Sequence, residues 1–574
     1  MKKLTFLLAL PGMLVMQNVL AQTSTHLHLS DAFPSPGEKV TVTYDPSGTP
    51  LSDKSDLNAS VYFLDNKDYP VADIDLKTSG KMLKGEFTIP TTAKAFFIRI
   101  NKDDVVDDNN EQGYTYFVYR DKKPVQGAYA SEAYLIWTGL GNAYGKIKND
   151  PKKAFALYNE EFKVYPQSKS EYQANYINLL ATNKSPEFSP LLTEEIAKLS
   201  KSNDEKDLIL ASNLLKRTKK VPQSDSLTAV IKAKYPNGEL AKNELGMAFN
   251  KEKDLTKKEG FYNEYIQKYP ESTTDKKTIQ DNFRLQLAGA YLQAGKIDDY
   301  HRWENLVKDK PSLAMNLNNV AFEWAKKGEH LEDAATFSKQ SLDMMKQKIA
   351  NPGTQSFASS KMLKERYQSS YDMYADTYAY ILFKQNKFKE ALAYEAPVYE
   401  KTKGADAEIN ENYALILKGA GEDAKAKTVI ENAIKTGKSS AQMDAALKAV
   451  YLKEKGAEAG YDKYYSALKN AATIAIKESL LKEMINLPAP AFALRDTSGN
   501  IVSLASLKGK VVVVDFWATW CGPCKASFPG MQMAVNQYKN DPNVQFLFVD
   551  TWENGDNYLP GVKKFIADNH YSFK

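Results

Sequence analysis

Three rhythms of apolar positions follow one another along the chain. Between residue 22 and about residue 125 the period is two. "KVTVTY" (Lys39–Tyr44), "SVYFL" (Ser60–Leu64), "KGEFTI" (Lys84–Ile89), "FFIRI" (Phe96–Ile100) and "YTYFVY" (Tyr114–Tyr119) are β-branched and aromatic, and clusters of Pro, Gly and Asp separate them. Strands at this spacing predict an N-terminal β-sandwich over 22–125, immunoglobulin-like in strand number but without the cysteine pair of an antibody-type domain. From 126 to 486 the period becomes helical, with Ala, Lys and Leu dominating and Gly and Pro sparse. From 487 onward a short linker, "LPAPAF", leads into a continuous apolar run, "VVVVDFW" (511–517). Such a run predicts a strand buried on both faces of a central sheet.

The helical stretch repeats. "KYPN" and "KYPE" place Tyr235–Pro236 and Tyr269–Pro270 34 residues apart, and "VYPQ" places Tyr165–Pro166 about two such periods earlier. Ala288 and Ala321 are 33 apart, as are Gly295 and Gly328; Tyr378 and Tyr413 are 35 apart, and Ala391 and Ala424 are 33 apart. Small residues let paired helices approach, aromatics fill the gaps, and proline ends the second helix. This pattern resembles the tetratricopeptide repeat and predicts a central α-solenoid, degenerate in period over 340–375. Solenoids of that type present a concave face to peptides or proteins. The bland reading is that the helices pack only on one another and on their neighbours.

Charge and composition narrow the partners. With 76 basic and 71 acidic residues in 574, the chain offers no case for nucleic acid or an anionic membrane surface. The first residues, "MKKLTFLLALPGMLVMQNVLAQ", carry Lys2 and Lys3, an apolar Leu4–Met16, and small Val19 and Ala21 before a cut after Ala21. This is the pattern of a secretory signal peptide over 1–21. It predicts export to a periplasm or cell envelope, with no membrane-spanning segment in the mature chain. Two weaker candidates concern metals. The carboxylates of "NKDDVVDDNNEQG" (Asp103, Asp104, Asp107, Asp108, Glu111) suit calcium chemically, but their spacing is not that of an EF-hand, and a solvated hairpin tip explains them as well. His26 and His28 alternate as strand residues do and lack a third ligand nearby.

The two cysteines of the chain, Cys521 and Cys524, lie in "FWATWCGPCK". An exported pair forms a disulfide unless it is actively reduced. Strand, Cys-x-x-Cys, helix, a second strand "NVQFLFVDTW" (Asn543–Trp552) and a second helix "GVKKFIADNH" (Gly561–His570) follow in the thioredoxin order. Segment 487–574 resembles the first part of a thioredoxin-fold domain of the TlpA-like or redoxin type, through "DFWATWCGPCK" and the preceding "GNIVSLASLKGK". The fold expected is therefore multidomain: β-sandwich, α-solenoid and an α/β thioredoxin-like domain. The later cis-proline loop, two antiparallel strands and last helix of that fold are not in the sequence, so the domain is expected to be truncated here.

Placed at a helix N-terminus, Cys521 becomes the nucleophile, its pKa lowered from ~8.5 toward neutrality by unpaired N–H groups and the macrodipole. Cys524, one turn on, resolves the mixed disulfide. Gly522 and Pro523 set the turn, Pro523 where a missing N–H costs nothing, and Trp520 shields the sulfur. The resemblance assigns Asp515 as proton acceptor for Cys524, with a capping or hydrogen-bonding carboxylate as the plainer reading. It matches Pro529 to a helix kink; Lys525 reads as a solvent-facing charge. The Gly-Pro dipeptide resembles reducing thioredoxins, near −270 mV, more than strong oxidants near −120 mV. The function expected is a disulfide reductase with no cofactor beyond its dithiol. It would act on exported disulfide proteins, be recharged by a thiol donor at the membrane, and recruit partners through the repeats. Two other readings stand beside it: an envelope adaptor with a vestigial redox domain, and a thiol peroxidase. A peroxidatic cysteine, however, wants Pro and Thr ahead of it where Trp520 stands.

Overall fold

The structure is a computed structural model that describes residues 26–65, 69–183, 185–271, 279–553 and 557–573. The expected signal peptide, 1–21, lies outside the described residues. Contacts divide the chain into two compact units, with the boundary between Ala475 and Ile476.

The first unit opens with two sheets. One has β1 (Leu27–Leu29), β2 (Lys39–Tyr44), β6 (Met82–Thr88) and β5 (Lys77–Ser79) in that order. The other has β4 (Val71–Ile74), β3 (Asn58–Leu64), β7 (Ala95–Lys102) and β8 (Val105–Asp107), with β9 (Tyr114–Phe117) also on β7. The ladders joining β2 to β6 and β3 to β7 are antiparallel, with Val40 opposite Phe87 and Val61 opposite Ile98. β2 buries Val40, Val42 and Tyr44 and leaves alternate residues at the surface. β3 is buried almost throughout, because it has two covered faces. Ala59, Val61 and Phe63 meet the other sheet. Tyr62 and Leu64 meet the first helices, with Tyr62 stacked on Phe97 at 4.6 Å. A short hairpin, β10 (Tyr119–Arg120) and β11 (Lys123–Pro124), leads to those helices.

The acidic stretch 101–113 is not simply a solvated tip. Asp107 is buried and accepts hydroxyl hydrogen bonds from Tyr44 (2.7 Å) and Tyr114 (2.6 Å), which tie the two sheets together. Among the described residues no group of three or more His, Cys, Asp or Glu side chains is arranged to hold a metal ion.

Helices then run from Ala128 to Glu483, largely as antiparallel hairpins, consistent with the tetratricopeptide-like reading. The Tyr-Pro marks fall where they stop helices: Tyr165, Tyr235 and Tyr269 are the C-caps of Pro151–Val164, Val221–Lys234 and Leu255–Lys268. Gly295 and Gly328 take positive φ at helix ends, a conformation that glycine adopts without a Cβ clash. Ala288, Ala321 and Ala391 are fully buried. Ala424 is exposed, and Ala426, two residues on, is the buried partner. The crossing position in that hairpin therefore keeps the 35-residue step of Tyr378 and Tyr413.

The break in period over 340–375 has a physical cause. Between the long helices Leu331–Ala350 and Ser360–Lys384, the connecting loop docks on the sandwich. Phe357, held at positive φ, stacks on Tyr69 at 4.4 Å and Tyr144 at 4.5 Å, and its N–H donates to the Tyr69 carbonyl. Ser359 donates to Asp73 at 2.9 Å while accepting the Met362 N–H to cap the next helix. Further along, helices Ser360–Lys384, Phe388–Thr402 and Ala407–Gly419 enclose a carboxyl pair. Glu395 is fully buried; burial first, then the charge of Asp376, pushes its carboxyl up to about 10. Burial raises Asp376 to about 6, although Asn412 donates to it at 2.8 Å.

The second unit holds an antiparallel hairpin, β12 (Ala493–Arg495) with β13 (Ile501–Ser503), and a parallel pair, β14 (Val511–Trp517) with β15 (Val544–Asp550). Helix Gly522–Tyr538 joins the parallel strands, and helix Leu559–Asp568 follows. The expectation of a strand buried on both faces does not hold. Trp517 is buried, but Phe516 is 65% exposed and Val514 38%. β14 pairs with β15 alone among the described strands, and the small core of Trp517, Phe528, Val562 and Phe573 lies on one side of it. Among the described residues no helix of either unit is long and apolar enough to cross a membrane.

Candidate active site

β14 ends at Trp517, and the chain turns through Ala518–Trp520 before entering the helix at Gly522. The Cys521 N–H donates to the Ala518 carbonyl at 3.0 Å and closes the turn. Cys521 is the N-cap of helix Gly522–Tyr538, in extended conformation, and its Sγ accepts the Cys524 N–H at 3.3 Å. A sulfur at that position receives a donor that the helix itself cannot satisfy. Pro523 sits in the first turn, where its missing N–H goes unneeded. Cys521 and Cys524 are joined as a disulfide, with Cα atoms 5.4 Å apart.

The other predicted residues arrange themselves around this turn. Trp520 is 55% exposed beside Cys521, and its indole N–H donates to the Trp552 carbonyl at 2.9 Å. Phe528, fully buried, meets Trp517 edge-on at 5.0 Å, and Cys524 packs against the same cluster. Pro529 lies inside the helix, and Lys525 reaches over the Phe565 ring at 5.8 Å. Asp515 occupies β14 two residues before Trp517, on the same strand face by alternation. It is half-buried, and that burial raises its carboxyl above the usual range.

Two carboxylates escaped the reading of the sequence. Asp550 ends β15 opposite Trp517 in the ladder, and Glu553 follows in the next loop. Burial, then the charge of Glu553, raises Asp550 to about 6. Burial would raise Glu553 too, but hydrogen bonds from the Thr519 N–H and hydroxyl, and from Asp550, outweigh it and hold Glu553 below the usual range. The signal in the sequence was faint: one acid ending a parallel strand and another just past it, at the end of the sheet where open α/β folds place their sites.

Residues 485–574 match the AhpC/TSA family. The chain is also similar to a number of curated proteins. It is 48% identical over 69 residues to thiol-disulfide oxidoreductase ResA of Bacillus subtilis (strain 168), covering 12% of this chain and 35% of that protein. It is 36% identical over 93 residues to the ResA of Bacillus thuringiensis (strain Al Hakam), covering 16% and 50%. It is 46% identical over 50 residues to the thioredoxin-like protein YneN of Bacillus subtilis (strain 168), covering 9% and 29%. The chain spans half or less of the length of these relatives. The C-terminal unit carries a redoxin-type domain similar to the AhpC/TSA family and to thiol-disulfide oxidoreductases, preceded by sheets and a long run of helices.

Proposed function

We propose that the chain is an exported thiol–disulfide oxidoreductase working as a disulfide reductase, with its helical repeats binding the proteins it serves. The observation that carries this reading is the Cys521 sulfur at the N-cap, receiving the Cys524 N–H and bonded to Cys524. Reduced by two electrons from a thiol donor, the pair becomes a dithiol. The Cys521 thiolate, favoured by the helix N-terminus, attacks a partner's disulfide. A bond from Cys521 to one partner sulfur forms, the partner's S–S bond breaks, and its other sulfur leaves as thiolate and takes a proton. Cys524 then loses its proton to Asp515, whose raised pKa suits it to accept one, and attacks Cys521. The internal disulfide re-forms and the second partner sulfur departs. The dithiol is oxidised and the partner reduced. No metal or organic cofactor takes part. Export rests on residues 1–21, and an envelope compartment supplies both disulfide substrates and the need for a membrane thiol donor.

Trapping tests the proposal. Cys524→Ser should accumulate mixed disulfides between Cys521 and exported proteins, and the wild type should reduce insulin. Absence of both results would overturn it and favour an adaptor role for the sheets and repeats. The AhpC/TSA match supports a second reading, thiol peroxidase. Peroxide consumption at a catalytic rate, retained in Cys524→Ser with an added thiol, would select it.

A further inference from the structure

The turn between β14 and the active-site helix is held from across the sheet. The Glu553 carboxylate accepts the Thr519 N–H on Oε1 and the Thr519 hydroxyl on Oε2, the latter at 2.8 Å. One residue back, the Trp552 carbonyl accepts the Trp520 indole. The Thr551 N–H donates to the Trp517 carbonyl at 2.9 Å. Four hydrogen bonds thus tie residues 517–520 to residues 551–553.

We infer that Glu553 is a positioning residue of the redox centre, clamping the Thr519–Trp520 turn so that Cys521 is presented at the helix N-terminus. The inference rests on the proposal that Cys521 is the attacking sulfur. The chemistry points to geometry, not charge, as the benefit. A carboxylate bound to Thr519, two residues before Cys521, opposes formation of a thiolate there. Its compensating effect is to satisfy two donors of a turn that has no helix or strand to do so, through charge-assisted bonds.

Charge and positioning separate in the full chain by measuring the pH midpoint of Cys521 alkylation in the reduced protein, with the alkylated residue mapped. Glu553→Gln removes the charge but keeps an oxygen that accepts from Thr519. Its midpoint should stay at or fall below that of the wild type. Glu553→Ala removes the clamp. Its midpoint should rise toward the free-thiol value of ~8.5, and kcat/KM for insulin reduction should fall about 10- to 100-fold. Thr519→Val, which loses only the hydroxyl bond, should shift the midpoint in the same direction as Glu553→Ala by a smaller amount, and it reads the clamp even if the alanine variant fails to fold. Equal downward shifts in the Gln and Ala variants, or unchanged midpoints in Ala and Val, would overturn the inference. If Cys524→Ser traps no mixed disulfide through Cys521 and the wild type reduces no insulin, the functional proposal fails, while the alkylation midpoints still decide the clamp.

Discussion

Glu395 in the helical array and Asp515 in the redox unit are both carboxyl groups raised by burial, yet their surroundings are opposite. Glu395 is wholly enclosed by three helices and meets another acid, Asp376. Asp515 is half-buried on a strand whose other face leaves Phe516 and Val514 open. The array gains its order from enclosure: Ile416, Leu382, Ala379 and Ala391 pack with almost no exposed surface. The redox unit concentrates its order at one turn, where a helix N-terminus, a disulfide and hydrogen bonds donated by Thr519 to Glu553 converge. A site proposed to meet another protein's disulfide needs an open sulfur face, whereas a solenoid needs closed seams between its hairpins.

The contrast can be broken at five points. The largest effect should come from Cys521→Ser, which should take insulin reduction to background while leaving thermal unfolding of the helical array unchanged. Ile416→Ala, in the enclosed seam, should cost about 2–5 kcal/mol in denaturant unfolding of the array without altering Cys521 alkylation. Asp515→Asn should slow resolution of the mixed disulfide by ~10- to 100-fold. Rapid quenching would show the covalent intermediate accumulating while the rate of its formation holds.

Glu395→Gln probes enclosure through pH. The folded pKa lies near 10, above the ordinary carboxylate range, so the folded array binds more protons than the unfolded chain between roughly pH 4 and pH 10. The stability linked to Glu395 is complete below that window and is lost as pH rises through it. Asp376, raised to about 6, adds the same sign below pH 6. Melting curves from pH 6 to 8 should therefore show the wild type losing about 1–3 kcal/mol that the Gln variant keeps. The smallest effect should be that of Phe516→Ala on the open strand face, within ~0.5 kcal/mol. A loss comparable with that at Ile416 would mean that the open face is covered in solution.

Much of the site was legible because it is local. An apolar run, a turn, a Cys at the helix N-cap and Pro in the first turn are all decided within fifteen residues, and the structure has them in that order. The strands of the N-terminal sheets were legible for the same reason: period-two burial follows from the pleat. The helical hairpins were legible from their small residues and Tyr-Pro stops, although Ala424 was mistaken for Ala426 because a 33-residue step was carried over into a hairpin that uses 35. What escaped was set by distant segments. Phe357 breaks the repeat because Tyr69 and Tyr144, more than two hundred residues away in sequence, offer it a stacking site. Glu553 meets Thr519 only because two parallel strands lie side by side.

By itself, the sequence determined the order of sheet, helix and redox motif, and the position of both sulfurs at a helix start, since backbone sterics and hydrogen bonding act over a few residues. Only the tertiary structure decided which acids are buried, which face of β14 stays open, and what holds the turn before Cys521. Those features depend on which side chains from separate elements share a surface, and desolvation and hydrogen-bond partners follow from that proximity in space.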